Sequence, residues 1–211
     1  MKRYAWLVPL ALILFAGNSG ALPQVYREGV QYQLVTPPLS HTPNGKVEVV
    51  EFLWYGCETC YVMQPDLARW LEKRKNVVDY QRIPAVTNDD MVLLARAFYT
   101  AEALGISEQI HQALFAAIHR YRRQLNTEDD LAAFFAEHGV SEKDFHQAFR
   151  SSFVAGKVRK AQTLGERYGI AGAPTIIING KDRVDSSMLV NPEEFIAVVD
   201  FLVNKEMSSN T

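Results

Sequence analysis

The chain has 211 residues, with 22 Lys and Arg against 24 Asp and Glu, a formal net charge of −2. At 48% apolar and 22% charged residues it has the make-up of an ordinary globular protein, which excludes a disordered, collagen-like or low-complexity chain. It lacks the surplus of Lys and Arg that nucleic-acid binding needs, and its two cysteines, Cys57 and Cys60, are too few for a disulfide-rich scaffold or for zinc held by three or four cysteines.

Residues 1–21 read as a cleaved secretory signal. Lys2 and Arg3 precede a twelve-residue apolar run, Ala5 to Ala16, and Ser19-Gly20-Ala21 supplies small residues for cleavage. A short uncleaved anchor is the alternative, although twelve residues fall short of the roughly 30 Å of a bilayer core. Loss of Lys2 and Arg3 takes the net charge to −4. Export implies an oxidising compartment, the periplasm.

Gln31 to Thr36 reads as a short edge strand ended by Pro37-Pro38, and Pro43-Asn44-Gly45 as a turn. Lys46 to Tyr55 is nearly continuously apolar, as in a central strand covered on both faces. Glu58 to about Lys75 reads as a helix kinked at Pro65, and Val77 to Ile83 as a second strand. Leu93, Leu94, Ala97, Phe98, Ala101 and Leu104 recur at helical spacing up to Gly105, and Ser107 is placed to cap the next helix. Thr127 to Asp130 and Ser141 to Asp144 look like N-terminal capping boxes with Asp in the third position. Val154 to Tyr168 is a further helix closed by Gly169. Thr175 to Asn179, the Asn179-Gly180 turn and Arg183 to Asp185 form a hairpin. A last helix starts at Asn191-Pro192 and runs to about Asn204, followed by a frayed tail from Met207. This order gives an α/β sheet interrupted by a helical insert: residues 22–85 and 151–211 make the sheet domain, and 86–150 the inserted helical domain. Trp54, Tyr55, Trp70 and Phe98 fall on apolar faces and are assigned to the core. Arg120, Arg122 and Arg123 read as a solvated helix end.

The chemistry concentrates at Cys57-Glu58-Thr59-Cys60. A C-x-x-C where a strand hands over to a helix puts the first sulfur at the helix N-terminus, where unpaired N–H groups and the dipole favour a thiolate. Cys57 is then the nucleophile, and Cys60, one turn on, the resolving thiol. Three plainer readings compete. A structural disulfide closing four residues stabilises by only roughly 2 kcal/mol. A metal site lacks further ligands at paired spacing among His41, His111, His119, His138 and His146. Two free cysteines sit poorly with export.

Glu51 lies six residues before Cys57 within Val49-Val50-Glu51-Phe52-Leu53-Trp54. A carboxyl buried there has its pKa raised and can exchange a proton with Cys60; the alternative is a Glu that reaches solvent at a strand end. Gly172-Ala173-Pro174-Thr175 puts Pro174 just before a strand, a place that suits a cis bond in a tight turn or an ordinary trans loop.

Glu51, the C-x-x-C opening a helix, the helical insert, the G-x-P-T segment and Asn179-Gly180-Lys181 together resemble the thioredoxin-fold, DsbA-like thiol:disulfide oxidoreductases over essentially the whole exported chain. The resemblance implies a thioredoxin fold with an inserted helical subdomain. It further implies a cis Pro174 facing the Cys57–Cys60 disulfide, and an Ala173 backbone that pairs with an extended substrate peptide. Glu51 matches the family's buried acid. No organic cofactor or metal is implied beyond the redox-active disulfide. The implied activity is disulfide introduction into newly exported proteins. The implied partners are reduced or unfolded clients and a quinone-linked membrane oxidase resembling DsbB.

One departure stands out. Glu58-Thr59 replaces the family's Pro-His between the cysteines. Glu58 adds a negative charge beside Cys57 and Thr59 only a hydroxyl, so the thiolate is expected to be less stabilised and the protein a weaker oxidant. Two other functions stay open at this point: a reductase or isomerase kept reduced by a membrane donor, and a chaperone-like peptide-binding module with incidental redox activity. About 25 residues between the signal and Lys46 are too few for a separate dimerisation domain, which counts against an isomerase of the dimeric kind, and with no surplus apolar stripe left for a partner helix a monomer is expected.

Overall fold

The structure, a computed structural model, describes residues 25–39 and 45–209. The signal segment, His41 and the Pro43-Asn44 part of the expected turn lie outside the described residues. The strands are β1 (Gln33–Leu34), β2 (Val47–Leu53), β3 (Val78–Pro84), β4 (Thr175–Ile178) and β5 (Asp182–Asp185). They form one sheet in the order β1-β5-β4-β2-β3, parallel only between β2 and β3.

β2 is paired along both edges and covered on both faces, which is why its sequence is so uniformly apolar. Val47 and Val49 face α1 (Glu58–Arg74) and α7 (Pro192–Ser209), meeting Met63, Leu67, Phe195, Val199 and Leu202. Val50 and Phe52 face the other way, toward Tyr168 and Ile170 at the end of α6 (Ser152–Tyr168). The alternation puts Glu51 on the α1 face, in register with Arg82 of β3.

Between β3 and α6 lie α2 (Val92–Ala103), α3 (Ser107–Phe115), a π-helical turn (Ala116–Arg120), α4 (Glu128–Ala136) and α5 (Glu142–Phe149). They share a core of Ile110, Leu114, Phe115, Leu131, Phe135 and Phe145. That core is continuous with Leu53, Tyr55 and Cys60, so the helical segment packs directly against the strand-to-helix corner. Thr127 forms a complete capping box with Asp130, and Ser141 caps α5 by accepting the N–H of Asp144.

Three expectations need correction. Ser107 does not cap α3; it is the first helical residue, and Ile106 holds the cap position without a side-chain bond. Gly105 turns the chain at φ +72° and the Ile106 N–H returns to the Ala101 carbonyl, which leaves no room for a separate cap residue. The tail is not frayed from Met207, since α7 continues to Ser209. Glu206, buried, anchors it by accepting from Asn179 Nδ2 at 2.7 Å and Lys181 Nζ at 2.9 Å. Of the four aromatics assigned to the core, Tyr55 and Trp70 are buried, while Trp54 and Phe98 are half-buried at its edge.

Candidate active site

β2 ends at Leu53, and Trp54-Tyr55-Gly56 swings the chain into α1. Gly56 is required there, because a Cβ would lie 2.4 Å from Cζ2 of the Trp54 indole. Cys57 takes the cap position of α1 in an extended conformation, and its Sγ accepts the Cys60 N–H at 3.2 Å. The two sulfurs have opposite surroundings. Cys57 is half-buried, and its pKa is lowered to about 7. The Cys60 thiol hydrogen bond is the main cause, helped by the backbone N–H groups of Cys60 and Thr59 and opposed by partial burial and the Glu51 charge. Cys60 is fully buried, and burial, with the Cys57 thiolate beside it, pushes its pKa far up. Both cysteines are free thiols in this structure.

Across from the thiols, the Ala173–Pro174 peptide is cis and the Cys57 thiol donates to the Ala173 carbonyl at 3.3 Å. Glu51 is completely buried. Burial raises its pKa, opposed by the Tyr80 hydroxyl on Oε2, the Arg82 charge and Gln64 Nε2, which donates to Oε1 at 3.3 Å. Glu58 and Thr59 are exposed in the first turn of α1. The Glu51 charge raises Cys57, and Thr59 lowers it through its backbone N–H. Beside this turn runs an open groove of about 480 Å³, lined among others by Glu58, Thr59, Val62, Ser187, Leu189 and Val190. Val62 and Val190 are exposed apolar side chains.

The fold thus brings Glu51, Cys57, Cys60, Ala173 and Pro174 into one site, with Glu58 and Thr59 at its rim. Reading the sequence missed Tyr80, Arg82 and Gln64, the polar groups around Glu51, and His111, whose Nε2 lies 3.0 Å from Gln64 Oε1. Two of them had a signal: Tyr80 and Arg82 alternate along a strand parallel to β2, and so share its face with Glu51. Gln64 follows Cys60 by one helical turn, and His111 comes from α3 with nothing in the sequence to link it. The other histidines described lie apart from this cluster: His119 bonds the Tyr55 carbonyl through Nε2 at 2.8 Å, and His146 pairs with Glu128. Arg120 and Arg122 are exposed, and Arg123 pairs with Glu137. Among the described residues no group of three His, Cys, Asp or Glu is placed to hold a metal ion, and no helix is long and apolar enough to cross a membrane.

A C-x-x-C dithiol capping a helix against a cis-proline loop, on a mixed five-stranded sheet with an inserted run of helices, defines a thioredoxin-fold thiol:disulfide oxidoreductase. The model of the DSBA-like thioredoxin domain family matches residues 48–197, and the chain belongs to that family. The thiol:disulfide interchange protein DsbA of Burkholderia cepacia is 36% identical over 206 residues, 97% of each chain. That of Pseudomonas aeruginosa is 33% identical over 205 residues, covering 96% of this chain and 97% of its own. The crystal structure of Pseudomonas aeruginosa DsbA superposes with a TM-score of 0.80 at 34% identity, over 88% of this chain and 96% of that one. The oxidoreductase DsbA of Xylella fastidiosa gives 0.80 at 28% identity, over 88% and 100%.

Proposed function

We propose that the protein is an exported dithiol oxidase that works in the periplasm through a disulfide between Cys57 and Cys60. The observation that carries this is the asymmetry of the pair: an accessible thiol of lowered pKa set against a buried one of raised pKa. A client thiolate attacks Sγ of Cys57, the Cys57–Cys60 bond breaks, and Cys60 leaves with both electrons of that bond. Cys60 takes the proton of the Glu51 carboxyl. A second client thiolate then attacks the client sulfur of the mixed disulfide, and Cys57 leaves as a thiolate. Its lowered pKa makes it a good leaving group. The client loses two electrons and the protein holds them as a dithiol. A quinone-linked membrane partner resembling DsbB takes them back, and Glu51 recovers its proton from Cys60.

Ala173 offers its backbone to an extended client strand beside Pro174, and the groove at Val62 and Val190 accepts apolar client side chains. Glu58 and Thr59 modulate the thiolate from the rim. Residues 22–85 and 151–211 form the thioredoxin-like domain, with 86–150 inserted, and the protein acts as a monomer without a cofactor.

Acid-trapping the thiols in intact cells tests this reading. An oxidase is recovered mainly as the disulfide. Recovery mainly as the dithiol would make it a reductase or isomerase. Full activity of a Cys57→Ala variant would leave a peptide-binding module in place of an oxidase.

A further inference from the structure

Gln64 has one nitrogen and one oxygen to place, and its surroundings allow one arrangement. Its Nε2 lies 3.1 Å from the Cys60 carbonyl oxygen and 3.3 Å from Oε1 of Glu51. A carbonyl oxygen only accepts, so the amide nitrogen belongs on that side. Its Oε1 then meets Nε2 of His111 at 3.0 Å. An amide oxygen also only accepts, so this ring nitrogen carries the proton. Nδ1 is left as an acceptor and takes the hydroxyl of Tyr55 at 3.1 Å. Every donor in the chain Tyr55, His111, Gln64, Glu51 therefore has one direction.

His111 is 3% exposed. Burial, with the charge of Arg82 nearby, lowers its pKa to about 3, so the ring stays neutral and keeps this tautomer at any pH where the enzyme works. It reaches Gln64 from α3, the helix whose Glu108 pairs with Arg82 of β3 at 2.7 Å. The helical insert thus supplies one member of the polar chain behind the thiols.

We propose that His111 is a positioning residue of the dithiol site: by donating Nε2–H to Gln64 it keeps the amide N–H turned toward Glu51, and so sets how readily Glu51 exchanges its proton with Cys60. The inference rests on the reading of Glu51 as the proton partner of Cys60. An N–H facing a carboxyl favours its charged form; an amide oxygen in that place favours the protonated form. Without His111 the oxygen of the half-buried Gln64 side chain loses its donor, and only the Cys60 carbonyl is left to hold the amide in this orientation. The charged and titratable groups facing Glu51 are Tyr80 and Arg82 from β3, Tyr55 from the turn after β2, Cys57 at the cap of α1 and Cys60 within it, while its β4 neighbour is the apolar Ile176. Those facing His111 are Tyr55 and Arg82.

Two measurements on the reduced protein test this. The first is the imidazole ¹⁵N spectrum of His111 between pH 5 and 8. The expected result is a protonated Nε2, a bare Nδ1 and no titration; an Nδ1–H tautomer or a charged ring overturns the proposal without any mutation. The second is the pH titration of the infrared carboxyl band that Glu51→Gln removes. Its midpoint is expected to move up in His111→Phe and in Gln64→Leu, to move no further in the double variant, and to return toward wild type in His111→Gln. His111→Met serves as a second apolar replacement if the Phe variant does not fold. An unmoved midpoint in the apolar variants overturns the proposal. In the same variants, Cys60 is expected to displace glutathione from a Cys57 mixed disulfide about tenfold more slowly at pH 6, with the deficit closing as the pH rises. A band that moves while this rate does not would sink the Glu51 reading and leave the His111–Gln64 clamp standing.

Discussion

The thiol of Cys57 lies 3.3 Å from the carbonyl oxygen of Ala173, although 116 residues separate the two in the chain. The contact puts the sulfur that would be attacked beside the backbone group that would hold the attacking strand. In the disulfide and in the mixed disulfide Cys57 carries no proton, so the Ala173 carbonyl is free of the thiol and can accept a client N–H. Chemistry and client alignment would then be coupled through one oxygen atom.

Cys57 is expected to titrate near pH 7, against an ordinary thiol value of 9.0, and thiolate absorbance of the reduced protein reads this directly. The depressed value also links pH to stability. A thiol with its folded pKa lowered contributes stability that is present above the unfolded value and lost as pH falls through the folded one. The reduced protein should therefore gain on a Cys57→Ala variant between pH 7 and 9. Cys60, raised by burial, has the opposite sign, and its contribution begins to fall only as pH climbs past 9.0. Urea unfolding at pH 6.5 and 8.5 measures the gap; an equal gap at both would contradict the assignment.

Glu51→Gln should stabilise the oxidised protein at pH 7 by on the order of 1 kcal/mol while slowing turnover about tenfold or more. The raised carboxyl contributes its stability below the ordinary value of 4.5 and loses it as pH rises through the folded value. Removing the charge therefore helps at neutral pH and makes little difference near pH 4. Urea unfolding at the two pH values checks the sign, and equal destabilisation at both would refute it.

Glu58→Pro combined with Thr59→His should make the protein more oxidising by about 30 mV or more, the equivalent of a tenfold change in the exchange constant. The change removes a carboxylate from the first turn of α1, adds an imidazole and places proline at the first helical position, where it is tolerated. Equilibration with glutathione reads the change. An unchanged or more reducing double variant would mean that the rim residues do not govern the thiolate.

Gly56→Ala should cost about 1–3 kcal/mol, because the new Cβ would overlap the Trp54 indole at 2.4 Å and the displaced ring borders the Cys57 cap. Thermal unfolding and Trp fluorescence report it. A variant with wild-type stability and spectrum would show that the indole has room to move.

The sheet and the dithiol were legible because their signals are local. β2 declares burial on both faces by its run of apolar residues, C-x-x-C marks the corner after it, and Asn179-Gly180 marks the β4–β5 turn at φ +48° and +65°. What lies behind Glu51 was only partly legible. Tyr80 shares a sheet face with Glu51, but Gln64 and His111 come from α1 and α3, and they meet only because the helices of the insert pack onto the strand-to-helix corner. No periodicity records such a meeting. The end of α7 was misread for the same reason, since the Glu206 contacts come from neighbours in space, whereas Ser107 was misread by one residue because α3 starts directly after the local Gly105 turn.

The most direct test of the dithiol centre is the equilibrium reduction potential of the Cys57–Cys60 couple against glutathione. A value above about −180 mV is expected of a dithiol oxidase, whose disulfide is poised to donate. A value near about −270 mV would place the couple among the reductants and contradict the assignment as an oxidase.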